Sequence, residues 1–382
     1  MTCPFAKFAT ILALPASAKH ASSYHSLPPH SSPSSLSDAL RIGTSSAHRA
    51  VEKSRGVSLL LSSLSSSPST SELTFDRVDY VRFNIMLLCV YAAMEAGLVR
   101  GRGSEGLRGL WGDEGLIEEL VRTRALLDDV RAHLDTVEAH MGASLADLAD
   151  QARDSHSLSA SAAVKEDIED PSARTELLAL SQAALPDAIR PTASTTQKVT
   201  EDHIALLTPA QVHSTLAYVR VLLNAHPTLL VAHAYTRYLG DLSGGQHIVR
   251  KVSKRFPTTT PNDGFAFYHF AGTDLKARFR VAMEQAVPEG EKSQQVVQEL
   301  VREANTAFDL NTGLFESLLP AELRMVAEEE VTEKVSVVTA KRWKGERVVR
   351  GLVVVGSAAV MAHTLLRVGA AYVAANSATV AA

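Results

Sequence analysis

Residues 229–246 read LLVAHAYTRYLGDLSGGQ, and how this stretch is parsed decides what the rest of the chain must be. Leu242-Ser243-Gly244-Gly245-Gln246 spells the signature pentapeptide of ABC-type ATPases. A nucleotide site of that class also needs a G-x-x-x-x-G-K-[ST] cradle, whose backbone N–H groups and lysine hold the phosphates. The chain has no Gly-Lys dipeptide, and GEKS at 290–293 interposes a glutamate and lacks the upstream glycine. Both flanks of the pentapeptide carry helical rather than strand periodicity. Gly240 and Gly244 then stand at i, i+4 on one helical face, where a missing Cβ lets the backbone approach a flat ligand. Glycine costs a helix about 1 kcal/mol relative to alanine, so the three glycines at 240, 244 and 245 predict a bend or a hinge. A helix end closed by a Schellman-type glycine, with Arg237 and Asp241 as an outer i, i+4 ion pair, fits the same letters.

Working outward, the helical pattern holds over residues 37–322, and an all-α domain is expected there. RVDYVRFNIMLLCVYAAMEAGL at 77–98 is a strongly apolar helix, and 113–141 is amphipathic. A polar insertion at 142–205 contains one short helical piece, RTELLALSQAAL. Ser37 or Asp38 can cap a first helix running towards Lys53. On it Arg41, Thr44, His48 and Glu52 fall at i, i+3, i+7 and i+11, one stripe of the surface. A neutral imidazole can bind a metal through one nitrogen while a carboxylate orients the other N–H. His48 and Glu52 suit those roles, as they suit a solvated surface pair.

The formal charge of −4 over 382 residues gives no broad basic field, and nucleic acid is not expected as a partner. Two cysteines, Cys3 and Cys89, far apart, fit a reducing compartment, with Cys89 as core filling. Residues 1–36 are Ser/Pro-rich and are read as a disordered tail. Residues 323–350 form a basic linker ending in Lys341, Arg342, Lys344, Arg347 and Arg350, and 351–375 is a candidate membrane anchor. Arg367 would lie near one interface, where it can snorkel. An amphipathic or disordered tail is the competing interpretation.

LLVAHAYTRYLGDLSGGQ closely resembles the signature of the haem oxygenases, and the resemblance extends over most of 38–320. It implies a haem oxygenase-like helical bundle with haem between a proximal and a kinked distal helix, of the eukaryotic, fungal-like type with a C-terminal anchor. AHRAVE at 47–52 resembles the proximal helix, which makes His48 the axial ligand and Glu52 its orienting partner. VYAAMEAG at 90–97 would bring Tyr91 to the distal water network, where Asp241 holds a water and Arg237 fixes that carboxylate. LKARFRVAM at 275–283 would place Lys276 and Arg280 on the propionates, with Arg41 where the family commonly has lysine. EANTAFDLNTGLFESL at 303–318 would supply Phe308 and Phe315 to the wall and Asn311 to the water network. Thr44, Tyr235, Gly240 and Gly244 complete the haem contacts, and His233 is expected to be structural.

The reaction this resemblance implies opens haem b, both cofactor and substrate, to biliverdin, carbon monoxide and ferrous iron. It uses O2 and NADPH-derived electrons from a partner reductase of the cytochrome P450 reductase type, because the chain shows no nicotinamide motif. The expected address is the endoplasmic reticulum membrane with a cytosolic catalytic domain, mitochondrial import being the alternative. The insertion at 142–205 holds no matched pocket residue and is expected to be dispensable for chemistry. A non-catalytic haem sensor or carrier on the same fold is the rival from another class, and a helical adaptor without haem is a second.

Overall fold

The computed structural model describes residues 35–65, 75–142, 144–154, 170–188, 199–260, 263–321 and 323–324. The Ser/Pro-rich tail to residue 34, and the expected linker and anchor from 325 onward, lie outside the described residues. The elements below belong to the unit Met1–Ala321.

No strand occurs among the described residues, and twelve helices of eight residues or more carry the fold. They are α1 (Leu36–Gly43), α2 (Ser45–Glu52), α3 (Arg55–Ser63), α4 (Arg77–Arg100), α5 (Thr123–Met141) and α6 (Leu145–Asp154). There follow α7 (Pro171–Ala188), α8 (Pro209–Asn224), α9 (Leu230–Gly240), α10 (Gln246–Arg255), α11 (Leu275–Glu284) and α12 (Ser293–Glu316). Between α9 and α10 the chain makes one π-helical turn, Asp241–Gly245.

α4 is the axis. Asp76 and Asp79 close its start as a reciprocal capping box. Its run from Tyr80 to Leu98 is buried nearly without interruption, because α5, α7 and α8 cover it on several sides. Its length and apolarity would suffice to cross a membrane, but 94% of its most apolar window is buried inside the protein, as for the core helix of a globular domain. Cys89 is fully buried on it, and burial pushes its thiol up to about 11. α12 is the second long helix, and α1, α2, α3, α8 and α9 pack along it.

Two expectations from sequence are corrected here. The first helix is two helices, broken at Thr44, whose hydroxyl donates back to Leu40 O at 2.7 Å. Such a bond to the i−4 carbonyl competes with straight helix geometry. Ser35, not Ser37 or Asp38, supplies the cap, its Oγ accepting from Asp38 N at 3.1 Å. The carboxylate of Glu284, on α11, accepts from Leu36 N at 2.6 Å and Ser37 N at 2.9 Å. That contact spans nearly 250 residues of chain, and no local pattern announces it.

The polar insertion contains core. α7 lies against α4 and α8, burying Ala173, Leu177 and Ala184. Burying one leucine contributes about 1.5–3 kcal/mol. The polar letters that made 142–205 read as dispensable belong to the flanks of α7 and to its outer face.

Candidate functional site

A cavity of about 410 Å³ opens between α2 and the α9–π–α10 segment, with α12 closing one side and α4 behind it. That size is ordinary for a small-molecule site. Thr44, His48 and Glu52 line it from the first segment, and Tyr235, Arg237, Gly240 and Asp241 from the other. Phe308, Asn311 and Phe315 enter from α12. Eleven of the fifteen residues singled out from sequence line this one space, and Tyr91 stands behind it on Asp241, whereas Gly244, Lys276 and Arg280 are not in its lining.

His48 is half-buried, its ring edge-on to Phe308 at 5.4 Å. Its Nδ1 stands 3.5 Å from Glu52 Oε1, and its Nε2 has no hydrogen-bond partner among the described residues. Burial, and then the charge of Arg49, lowers the pKa of His48, so the ring is neutral at pH 7. Burial raises the pKa of Glu52 against the pull of Arg49 and Lys53, and its Oε1 makes no hydrogen bond of normal geometry. A neutral imidazole with one free nitrogen is a metal ligand in waiting. No cluster of three His, Cys, Asp or Glu side chains suited to a metal ion exists among the described residues. The space beside His48 is lined mainly by apolar side chains, so it can take a large apolar ring system against that imidazole.

Across the cavity, Tyr91 donates a hydrogen bond to Asp241 Oδ2. Arg237 donates to Asn311 Oδ1 and lies over the Tyr91 ring, 4.8 Å from its centroid. Asn311 is oriented in turn by donating from Nδ2 to Ala307 O at 2.8 Å. Burial pushes the pKa of Asp241 up to about 6, with Arg237 and the Tyr91 hydrogen bond holding it down. Burial alone would lower the pKa of Arg237, but Tyr91 and Asp241 outweigh it and the guanidinium stays charged. Arg237 and Asp241 do not form the expected ion pair. The arginine reaches the carboxylate through Tyr91.

The glycines also arrange themselves differently from the sequence pattern. Residues 240–246 keep right-handed helical backbone, so no Schellman turn ends the helix, and the π turn takes up the strain. A π turn adds one residue to the repeat. Gly245 rather than Gly244 therefore joins Gly240 on the cavity wall, and Gly244 is buried away from it. A Cβ on Gly240 would meet nothing within 4 Å, since that face looks into the open cavity. A Cβ on Gly245 would come 3.3 Å from the ring of Tyr268.

Lys276 and Arg280, expected on the propionates, are not among the residues that line the cavity. Burial and the neighbouring Arg280 charge lower the pKa of Lys276, and neither cation has an ion-pair partner among the described residues. Tyr235, whose pKa is raised by burial, lies within electrostatic reach of Arg280 and Arg41 and takes a hydrogen bond with Thr44. Arg41 itself is exposed and paired with Asp38 at 3.1 Å. His233 is outside the cavity, its Nε2 bound to Glu303 at 2.8 Å. Sequence reasoning missed Arg49, Tyr80, Gly245 and Tyr268, all of which line the space. The aromatic density of GFAFYHF at 264–270 was the available signal for Tyr268.

The Heme oxygenase family model matches residues 200–317. That range contains Tyr235, Arg237, Asp241 and Asn311 but not His48 or Tyr91. "Heme oxygenase" of Guillardia theta is 40% identical over 99 residues, 26% of this chain and 41% of that protein. "Heme oxygenase 1" of Rattus norvegicus is 42% identical over 95 residues, 25% of this chain and 33% of that protein. The matched stretch thus spans less than half the length of these relatives. Among solved structures, heme oxygenase-1 from the cyanobacterium Synechocystis sp. PCC6803 in complex with heme superimposes with a TM-score of 0.45 at 23% identity. That superposition covers 79% of this chain and 99% of the cyanobacterial one.

Proposed function

We propose that this chain is a haem oxygenase, opening haem b to biliverdin, carbon monoxide and ferrous iron with O2 and reductase-supplied electrons. The observation that carries the reading is the pairing of His48, neutral with a free Nε2, and the Tyr91–Asp241 hydrogen bond on two sides of one cavity. His48 lies outside the matched range 200–317, so the fold brings it to the site independently of that similarity.

Haem, when bound, supplies the iron that activates O2 and the porphyrin edge that is oxidised. His48 Nε2 would hold the iron, and Glu52 would keep the ring turned by facing Nδ1. Arg41, Lys276 and Arg280 would hold the propionates, the last two having no competing carboxylate. Gly240 leaves the helix face bare, so backbone can lie along the ring. Asp241 accepts from Tyr91 through Oδ2, which leaves Oδ1 to hold and polarise a water. With a pKa near 6, that carboxylate is ionised at neutral pH and close enough to it to pass a proton. Phe308 and Phe315 keep bulk water from the remaining wall.

Electrons come from an NADPH-dependent reductase of the cytochrome P450 reductase type in this reading. The anchor at 351–375 holds the enzyme on the endoplasmic reticulum membrane with the basic flank and catalytic domain in the cytosol. The test is reconstitution with haem, recording the Soret band, followed by turnover with NADPH and reductase and chromatography of the bilin isomers. Haem binding with biliverdin formation is expected. A Soret band with no bilin would make the chain a haem carrier instead.

A further inference from the structure

The π turn at Asp241–Gly245 is tied at its start by the Tyr91 hydrogen bond to Asp241 and just past its end by Gln246 Nε2 donating to Tyr268 O at 2.6 Å, yet its own sequence does not favour that geometry. Three of the seven residues at 240–246 are glycine, and α10 beyond it buries only Val252. If the extra residue of the π turn were absorbed into regular α-helix, α9 would rotate by about 100° against α10. That rotation would carry Arg237 and Gly240 away from the cavity. Those two bonds hold the turn itself, and the rotation of α9 is opposed in addition by what grips that helix upstream.

Two polar rungs run from α9 to α12. Arg237 to Asn311 is one and lies in the site itself. The other is outside the cavity: His233, with no exposed side-chain surface, binds Glu303 Oε1 through Nε2 at 2.8 Å. A carboxylate can only accept, so Nε2 carries the proton. Nδ1 stands 3.5 Å from the Tyr218 hydroxyl on α8, a third helix. The rungs are one turn apart on α9 and eight residues apart on α12, so together they fix both the rotation and the sliding of α9.

We infer that His233 and Glu303 are positioning residues that hold α9 in the register at which the π turn presents Arg237, Gly240 and Asp241 to the cavity. The inference rests on the proposed function for its catalytic meaning, because neither residue touches the cavity. A hydrogen bond to a charged group is worth enough that its loss speeds local opening roughly tenfold to a hundredfold.

Hydrogen–deuterium exchange of the full-length apoprotein tests this without haem. Glu303→Ala is expected to speed exchange of the amides from Leu239 to Gln246 by roughly tenfold or more while α4 stays protected. Glu303→Gln, which keeps the acceptor and the length, is expected to stay within about threefold of wild type. Should Glu303→Ala fail to fold, Glu303→Asp, one methylene short, is expected to give the same local loosening. Unchanged exchange at 239–246, or an equal rise in α4, overturns the inference. Absence of a Soret band in the wild type would instead strike at the proposed function and leave the exchange result standing.

Discussion

Asp241 is a carboxylate that the folded chain would rather keep protonated. Its pKa is raised from 3.8 to about 6 by burial, so its ionisation costs stability that is lost as pH rises through that interval and stays lost above it. Asp241→Asn keeps an acceptor for Tyr91 and removes the charge. It should stabilise the apoprotein at pH 7.5 by on the order of 1–3 kcal/mol, the advantage shrinking to nothing near pH 4. Thermal unfolding at several pH values checks this, and a constant difference across the range would contradict it. In turnover the same group acts in the opposite sense: Asp241→Ala should bind haem almost normally yet form little biliverdin, assayed by bilin chromatography. His48→Ala should lose histidine ligation, read from the haem spectrum, and recover part of it with added imidazole. At this scale the sequence was informative about placement where a residue belongs to a local motif: His48 and Asp241 both line the cavity. It was silent where the role is set by a distant partner: Tyr91, not Arg237, carries the bond to Asp241, and only the packing of α4 beside α9 decides that.

The distal segment is one element in which helix propensity and ligand access pull apart. Gly240 faces open space, so Gly240→Ala meets no clash and gains helix propensity. It should stabilise the apoprotein by about 0.5–1 kcal/mol while weakening haem binding, because the new methyl stands where the ring would lie. Parallel thermal unfolding and haem titration check the two signs; a change of the same sign in both would be inconsistent with a ring against this face. The hinge expected from three close glycines is a π turn in a continuous helix. Letters cannot separate the two, since a π turn has no periodicity of its own and is chosen by what grips the helix on either side. That is why Gly244 was read onto the cavity face that Gly245 occupies.

For the whole molecule, the all-α class was legible because the 3.6-residue repeat marks α5 and α12, while α4 shows as an apolar run too long for a strand. The weight of α7 in the core was not, since its buried residues, Ala173, Leu177 and Ala184, are few and its flanks are polar. Leu177→Ala should cost about 2–5 kcal/mol in chemical unfolding, and replacing 150–200 by a Gly/Ser linker should uncover α4 and abolish the cooperative transition. Truncation after Arg342 should give an active enzyme that no longer sediments with membranes.

Cys89 turns this arrangement into a clock. Its thiol is sealed on α4 and pushed up to about 11, so it can neither meet a disulfide reagent nor ionise while that helix is covered. In a Cys3→Ser background, the rate of thiol labelling would count only those excursions in which the central helix is bared. Comparing that rate with and without haem would show whether the ligand guards the entire body or the cavity wall alone.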